Sequence, residues 1–164
     1  MSKSLMGVKR YGQQEKPWSD LTPDFAANGC AVCSAATIAN YKESGTVTPA
    51  TLQDRGVFSK QSAYVNNWGN VSQEFSFQSK EHVGDLAGAL REIKNQIDTY
   101  SDPVMLVVAT AGGMEHYVVA YGYSGSCTSE NDVKIRDSMP TNYTTLGAAM
   151  RGTYPTFVRM NRII

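Results

Sequence analysis

The chain has 164 residues, of which 41% are hydrophobic and 18% are charged. This length and apolar content suit one globular domain over 1–164 and exclude a disordered chain. Lys plus Arg and Asp plus Glu each number 15, so the formal net charge is zero. A chain without a basic excess is not expected to bind nucleic acid or an anionic membrane through bulk charge.

No apolar run approaches the ~20 residues that span a bilayer, and the first residues lack the apolar core of a signal peptide. We therefore expect no membrane span. Three interpretations of the location stay open: the protein stays in the cytoplasm, it leaves the cell by a non-classical route, or a leader has already been removed. The three cysteines are an odd number, unlike the even sets of small secreted disulfide scaffolds.

The first half of the chain predicts helices. Residues 1–29 are polar and rich in turn residues, which indicates an irregular arm. From Cys30 to Tyr41 the residues are mostly small and apolar, with helical spacing, so we predict a buried helix that stops near Gly45. Thr48-Pro49 is typical of a capped helix start, and predicts a short helix that ends near residue 56.

An amphipathic helix is predicted over 83–100, because its apolar residues recur at spacings of three and four. Before it, the alternation of Phe75 and Phe77 favours a strand. After Pro103 the chain is rich in strands. We predict strands at 104–110, 117–123, 132–137 and 156–164, and a short helix at 144–150. Helices followed by strands indicate an α+β fold rather than alternating βαβ units.

The two histidines differ in their predicted positions. His82 falls at the start of a solvent-facing helix, where an exposed capping role is the simplest interpretation. His116 directly precedes a buried strand and follows the Gly112-Gly113 turn. A histidine held rigidly at the mouth of a core strand suits a general base, although a merely packed ring fits the pattern equally well.

Cys30 follows Asn28-Gly29 and opens the predicted buried helix. The positive end of a helix stabilises a thiolate, and its free N–H groups can bind an oxyanion. Gly29 would leave room for a substrate backbone to approach. Cys33 lies one turn further along and is expected to be buried as a small hydrophobic residue.

The Cys30-Ala31-Val32-Cys33 spacing also fits a redox pair. Such a motif normally follows a core strand in a βαβ unit, whereas this one follows an irregular arm. A zinc site is not expected, because the chain has no second CxxC pair and no HExxH motif.

Asp137 closes the strand predicted at 132–137. If that strand and the one after His116 are antiparallel neighbours, both side chains lie at one end of the sheet. The carboxylate could then accept a hydrogen bond from the imidazole and fix its tautomer, although an aspartate that merely starts a turn is common. Gln13 and Gln14, upstream of Cys30, offer a side-chain amide as a second oxyanion donor.

The order of these segments resembles the papain-like cysteine peptidases, and more narrowly the double-glycine leader peptidases of bacterial bacteriocin exporters and their stand-alone relatives. The matching segments run from residue 11 to about 150. They are Tyr11 to Trp18, Gly29-Cys30 with its helix, Thr48 to Leu52, Glu115 to Tyr123 and Val133 to Pro140.

The resemblance implies a thiol protease with N-terminal helices packed on a C-terminal antiparallel sheet. It implies Cys30 as nucleophile, His116 as base, Asp137 as the group that orients the base, and no cofactor or metal. Gln13 is preferred to Gln14 as oxyanion donor, because its distance to Trp18 looks like the spacing in the family.

The chain departs from the family where Gly-Cys-Gly-Pro-Thr is common, since it has Gly29-Cys30-Ala31-Val32-Cys33. It contains no GxxxxGK[ST], so no ATP-driven exporter is expected within it. Three functions remain open. They are hydrolysis of a peptide, cleavage of a peptidoglycan stem or cross-bridge, and binding or modification of a partner by a non-hydrolytic papain-like domain.

Overall fold

In the computed structural model, which describes residues 2–164, helices pack against a five-stranded antiparallel sheet. Three of the five helices come from the first half of the chain, and four of the five strands come from the second half. The predicted α+β class is confirmed. The helices are α1 Phe25–Asn28, α2 Cys30–Lys42, α3 Pro49–Asp54, α4 Leu86–Asn95 and α5 Leu146–Arg151. The strands are β1 Lys3–Ser4, β2 Val104–Ala109, β3 Glu115–Tyr123, β4 Val133–Arg136 and β5 Thr156–Asn161.

Strand β3 occupies the middle of the sheet. It pairs with β2 along one edge, where His116 is opposite Val108, and with β4 along the other, where Val119 is opposite Arg136. Strand β1 pairs with Gly122 and Tyr123, the last residues of β3, which lie past the part of β3 that pairs with β2. Strand β5 pairs with the edge of β2 that faces away from β3. All six residues of β2 are buried, which explains its continuous apolar sequence.

Helix α2 packs on β3 and is buried over most of its circumference. Its buried residues run from Val32 to Ala39, and most of them are small. Small side chains let the neighbouring elements approach this helix closely from several sides. The predicted buried helix is therefore confirmed, with its first residue at Cys30.

Helix α4 begins three residues later than its apolar pattern predicted. Val83 is 64% exposed, and Gly84 has a φ of +71° that a right-handed helix does not allow. The carboxylate of Asp85 instead caps the helix by accepting a hydrogen bond from the N–H of Gly88. After Asn95 the chain continues as a π-helical turn, Gln96–Tyr100.

Three further predictions needed correction. The arm at 1–29 is not wholly irregular, because β1 pairs with β3 and α1 precedes Cys30. Phe75 and Phe77 do not form a regular strand, since Phe77 makes only an isolated bridge to Ile163. His116 lies inside β3 rather than before it.

No helix within residues 2–164 combines the length and apolar character needed to cross a membrane.

Candidate functional site

Cys30 is the first residue of α2 and follows a tight junction between two helices. Gly29 links α1 to α2, with its N–H bonded to the carbonyl of Phe25 and its carbonyl bonded to the N–H of Cys33. A Cβ atom at Gly29 would lie 2.7 Å from both the ring and the carbonyl oxygen of Phe25. The glycine therefore allows the close packing of this junction. The sequence led us to expect that Gly29 leaves room for a substrate backbone. Gly29 is instead buried, and its role is in the packing of the two helices.

His116 is held in place by the sheet and by an aromatic neighbour. It is only 4% exposed, and its imidazole stacks on the ring of Tyr154 with centroids 4.6 Å apart and an interplanar angle of 11°. Nε2 of His116 lies 2.7 Å from Oδ1 of Asp137. Asp137 occupies Nε2, so Nδ1 is the ring nitrogen left for another partner, and Cys30 lines the same cleft as His116.

Asp137 directly follows β4 and is completely buried. The antiparallel pairing of β3 and β4 brings it beside His116, as predicted from the strand order. Its carboxylate also accepts hydrogen bonds from the N–H groups of Met139, at 3.1 Å, and Tyr143, at 3.2 Å. The turn that follows Asp137 thus fixes the carboxylate independently of its contact with the imidazole.

The environment of His116 favours the protonated imidazole. Burial acts against the charge, but the hydrogen bond with Asp137 and the favourable interactions with Cys30 outweigh it and raise the pKa of His116 to about 9. The ring therefore carries both protons at neutral pH.

Gln13, not Gln14, lies at this site. Gln13 is 1% exposed, whereas Gln14 is exposed to solvent. Oε1 of Gln13 accepts a hydrogen bond from the hydroxyl of Ser138 at 2.6 Å, and Nε2 donates to the carbonyl of Ala26 at 3.0 Å. A primary amide has two N–H groups, so one remains for a ligand.

The side chain of Arg10 holds the turn behind Gln13 and Asp137. Its guanidinium donates to three successive carbonyl oxygens, those of Asp137, Ser138 and Met139. The N–H of Gln13 also bonds to the carbonyl of Ser138 at 2.9 Å. The arm before α1 is therefore fastened to the end of β4.

A cleft of about 600 Å³ brings the predicted residues together. Cys30, His116 and Gln13 line it, while Asp137 lies behind His116 and does not reach the surface. His82 is not among the lining residues and instead lies 3.8 Å from the carboxylate of Asp85. A second cavity of about 630 Å³, beside Arg55 and Glu43, is lined by no cysteine or histidine.

One wall of the cleft depends on Asp24, which the sequence analysis did not identify. Its carboxylate accepts hydrogen bonds from the N–H of Ala63 at 2.8 Å and the hydroxyl of Ser62 at 3.1 Å. Although burial opposes ionisation, these bonds and those from Thr22 and Asn28 lower the pKa of Asp24 to about 2. Asp24 thus fixes the loop at 62–65 beside Cys30. No local pattern could reveal this contact, because the partners are 38 and 39 residues apart.

The three cysteines are all free. Cys33 is buried, as predicted, and burial together with the nearby Cys30 raises the pKa of its thiol. Cys127 is also buried, and burial raises its pKa to about 11. Residues 2–164 hold no group of three or more His, Cys, Asp or Glu side chains arranged to bind a metal ion.

Comparison with family models matches residues 5–159 to one described as the Peptidase_C39 like family. The match covers nearly the whole chain and every residue of the cleft described above. No curated protein and no solved structure matches the chain significantly.

Proposed function

This chain belongs to the Peptidase_C39 like family, and from that premise we propose that it hydrolyses peptide bonds as a cysteine peptidase. Cys30 is the nucleophile, His116 the general base and acid, and Asp137 the residue that orients the imidazole. The Gln13 amide and the Cys30 N–H form the oxyanion hole. The strongest support is the buried His116 ring, which is bonded to Asp137 through Nε2 and lines the same cleft as Cys30.

In the first half of the reaction, the Cys30 thiolate attacks the carbonyl carbon of the scissile amide. The charge that develops on the carbonyl oxygen is stabilised by the free N–H of Gln13 and the backbone N–H at the start of α2. His116 then gives its Nδ1 proton to the leaving amine. The C–N bond breaks, the amine departs and a thioester remains on Cys30.

In the second half, a water molecule attacks the thioester carbonyl. His116, now neutral, takes a proton from this water, and the same two donors stabilise the second tetrahedral intermediate. Collapse of this intermediate releases the carboxylic acid product and restores the thiolate–imidazolium pair. Asp137 keeps Nε2 hydrogen-bonded throughout, so Nδ1 remains directed at the reacting atoms.

A peptide is the substrate class that the cleft favours. Its rim carries two large apolar side chains, Tyr64 at 73% and Met114 at 74% exposure. Large apolar side chains left exposed beside a cleft are surfaces that an extended peptide can cover. The resemblance to double-glycine leader peptidases supports the narrower proposal that cleavage follows a Gly-Gly pair.

The test is cleavage of quenched fluorescent peptides that differ only in the two residues before the scissile bond, Gly-Gly, Ala-Ala or Leu-Leu. We expect turnover of the Gly-Gly peptide, with products confirmed by mass spectrometry. Cys30→Ala should abolish turnover. Cys127→Ala is the matched control, because that thiol is buried under α4 and away from the cleft.

Other outcomes would identify a different function. Equal cleavage of all three peptides would retain the peptidase and remove the Gly-Gly preference. Clearing of purified cell walls without cleavage of free peptides would indicate a peptidoglycan hydrolase. Turnover that survives in Cys30→Ala, or no hydrolysis of any peptide or wall preparation by the wild-type protein, would contradict the proposal.

A further inference from the structure

The turn after β4 connects the two halves of the candidate site through adjacent residues. Asp137 holds the imidazole of His116, and the next residue, Ser138, holds the amide of Gln13. The hydroxyl of Ser138 lies 2.6 Å from Oε1 of Gln13, and Ser138 is itself only 4% exposed. The catalytic scheme above assigns no role to this hydroxyl.

The contacts around Gln13 determine which way its amide faces. The carbonyl of Ala26 can only accept a hydrogen bond, so the amide nitrogen must face it at 3.0 Å. Oε1 then faces Ser138, and the hydroxyl must be the donor. Within residues 2–164, Ser138 is the one hydrogen-bond donor to Oε1. In this orientation the second N–H of Gln13 remains for the cleft.

Without the hydroxyl, Oε1 would be a buried acceptor with no partner. A buried polar atom without a partner is unfavourable, and the amide could relieve this by rotating about its terminal torsion, which is a broad and soft one. Rotation would turn the free N–H away from the position of the substrate oxygen. Catalysis by an oxyanion hole depends on donors that are already oriented.

We propose that Ser138 is a positioning residue of the peptidase reaction, whose hydroxyl fixes the amide of Gln13 in the orientation that directs one N–H into the cleft. This inference rests on the proposed function. Ser138 does not touch the substrate and acts only through Gln13. Its contribution to the rate should therefore vanish when Gln13 is absent.

The test is a double-mutant cycle with Ser138→Ala and Gln13→Ala, measured on the Gly-Gly peptide. We expect Gln13→Ala to lower kcat by about 10²-fold, the usual effect of losing an oxyanion donor. Ser138→Ala should lower kcat by about 10-fold with KM nearly unchanged, because the donor is misdirected rather than removed. The double variant should match Gln13→Ala alone. A further loss of kcat in the double variant would overturn the inference.

Two more variants separate positioning from general stability. Ser138→Thr keeps the hydroxyl and should retain kcat within about threefold of wild type. Ser138→Cys has a similar shape but a weak donor, so its kcat should fall by the same factor that is expected for Ser138→Ala. It provides this test if the alanine variant fails to fold. Equal kcat in wild type and Ser138→Cys would contradict the role of the hydroxyl.

A readout that needs no activity keeps this inference distinct from the proposed function. The side-chain amide of Gln13 gives a pair of ¹⁵N-correlated NMR signals, identified by their loss in Gln13→Ala. In the wild-type protein these protons should exchange slowly with solvent, and in Ser138→Ala at least 10-fold faster. Unchanged exchange would overturn the inference even in an active enzyme. Faster exchange in a protein that cleaves nothing would retain the contact and refute the peptidase function.

Discussion

Nε2 of His116 and Oδ1 of Asp137 lie 2.7 Å apart in a part of the protein that is almost closed to solvent. The His116 side chain is 5% exposed and that of Asp137 is not exposed at all. A carboxylate that is buried must be hydrogen-bonded, and this one also has two backbone donors. The contact therefore links the protonation of the imidazole to a rigid turn.

Replacing Asp137 with Asn should lower the pKa of His116 from about 9 towards its ordinary value, because the negative charge beside the imidazolium is lost. We expect kcat/KM for the Gly-Gly peptide to fall by about 10³-fold. The ring signals of His116, followed by NMR against pH, give the pKa directly. Asp54→Asn removes an exposed carboxylate on α3 and is the control. An unchanged His116 titration would refute the coupling.

Stability should decrease as the pH rises through the titration of His116. Its pKa is about 9 in the folded protein and near 6.5 in the unfolded chain. A raised pKa gives stability that is complete below pH 6.5 and is lost as the pH approaches and passes 9. The loss should be on the order of 2–3 kcal/mol. Urea unfolding of wild type at pH 6, 7.5 and 9 measures it, and Asp137→Asn should show a shallower decline.

Alkylation should distinguish one cysteine from the other two. Cys33 and Cys127 are buried, and burial raises the pKa of both thiols. Cys30 lines the cleft together with His116. Iodoacetamide at pH 6.5 should therefore attach about one label per folded chain, at Cys30, whereas the unfolded chain accepts label at all three cysteines. Equal labelling of the three thiols in the folded protein would contradict an activated Cys30.

The junction before Cys30 should not tolerate a side chain at Gly29. An alanine Cβ there would lie 2.7 Å from the ring and carbonyl of Phe25, so one of the two helices must shift. We expect Gly29→Ala to destabilise the fold by about 1–3 kcal/mol and to reduce activity through displacement of Cys30. Gly69→Ala is the control, since nothing lies within 4 Å of its Cβ position. Thermal unfolding and peptide cleavage measure both effects.

Tyr154 should matter through its ring rather than its hydroxyl. The ring covers one face of His116, and no hydrogen bond of the hydroxyl is seen within residues 2–164. Tyr154→Phe should therefore retain activity within about threefold. Tyr154→Ala should destabilise the protein by about 3 kcal/mol and expose the imidazole to water. A lower His116 pKa in Tyr154→Phe would show that the hydroxyl contributes after all.

Local periodicity accounts for the parts of the fold that sequence could predict. The continuous apolar run of β2 and the small residues of α2 identify their elements without knowledge of any partner. The contact between His116 and Asp137 could also be predicted, because two strands joined by a short loop are commonly antiparallel neighbours. The predicted start of α4 was wrong, because the apolar spacing that includes Val83 could not show that Gly84 has a positive φ.

The candidate site was predictable only where its residues have distinctive chemistry. A cysteine at a helix start and a histidine beside a core strand are visible in sequence. Ser138 and Tyr154 are not, because a serine in a turn and a tyrosine near a strand are common and their partners are distant in the chain. The roles given to Cys30, His116, Asp137 and Gln13, and the assignment of 1–164 to one domain, stay predictions.

Arg10 binds the turn at Asp137 to Met139 across 127 to 129 residues of chain. The guanidinium therefore cannot reach all of its carbonyl partners until the chain has been synthesised past residue 139. Before that point, His116 lacks its partner Asp137 and Gln13 lacks its partner Ser138. The proposed site can therefore be completed only after synthesis has passed the turn at 137–139.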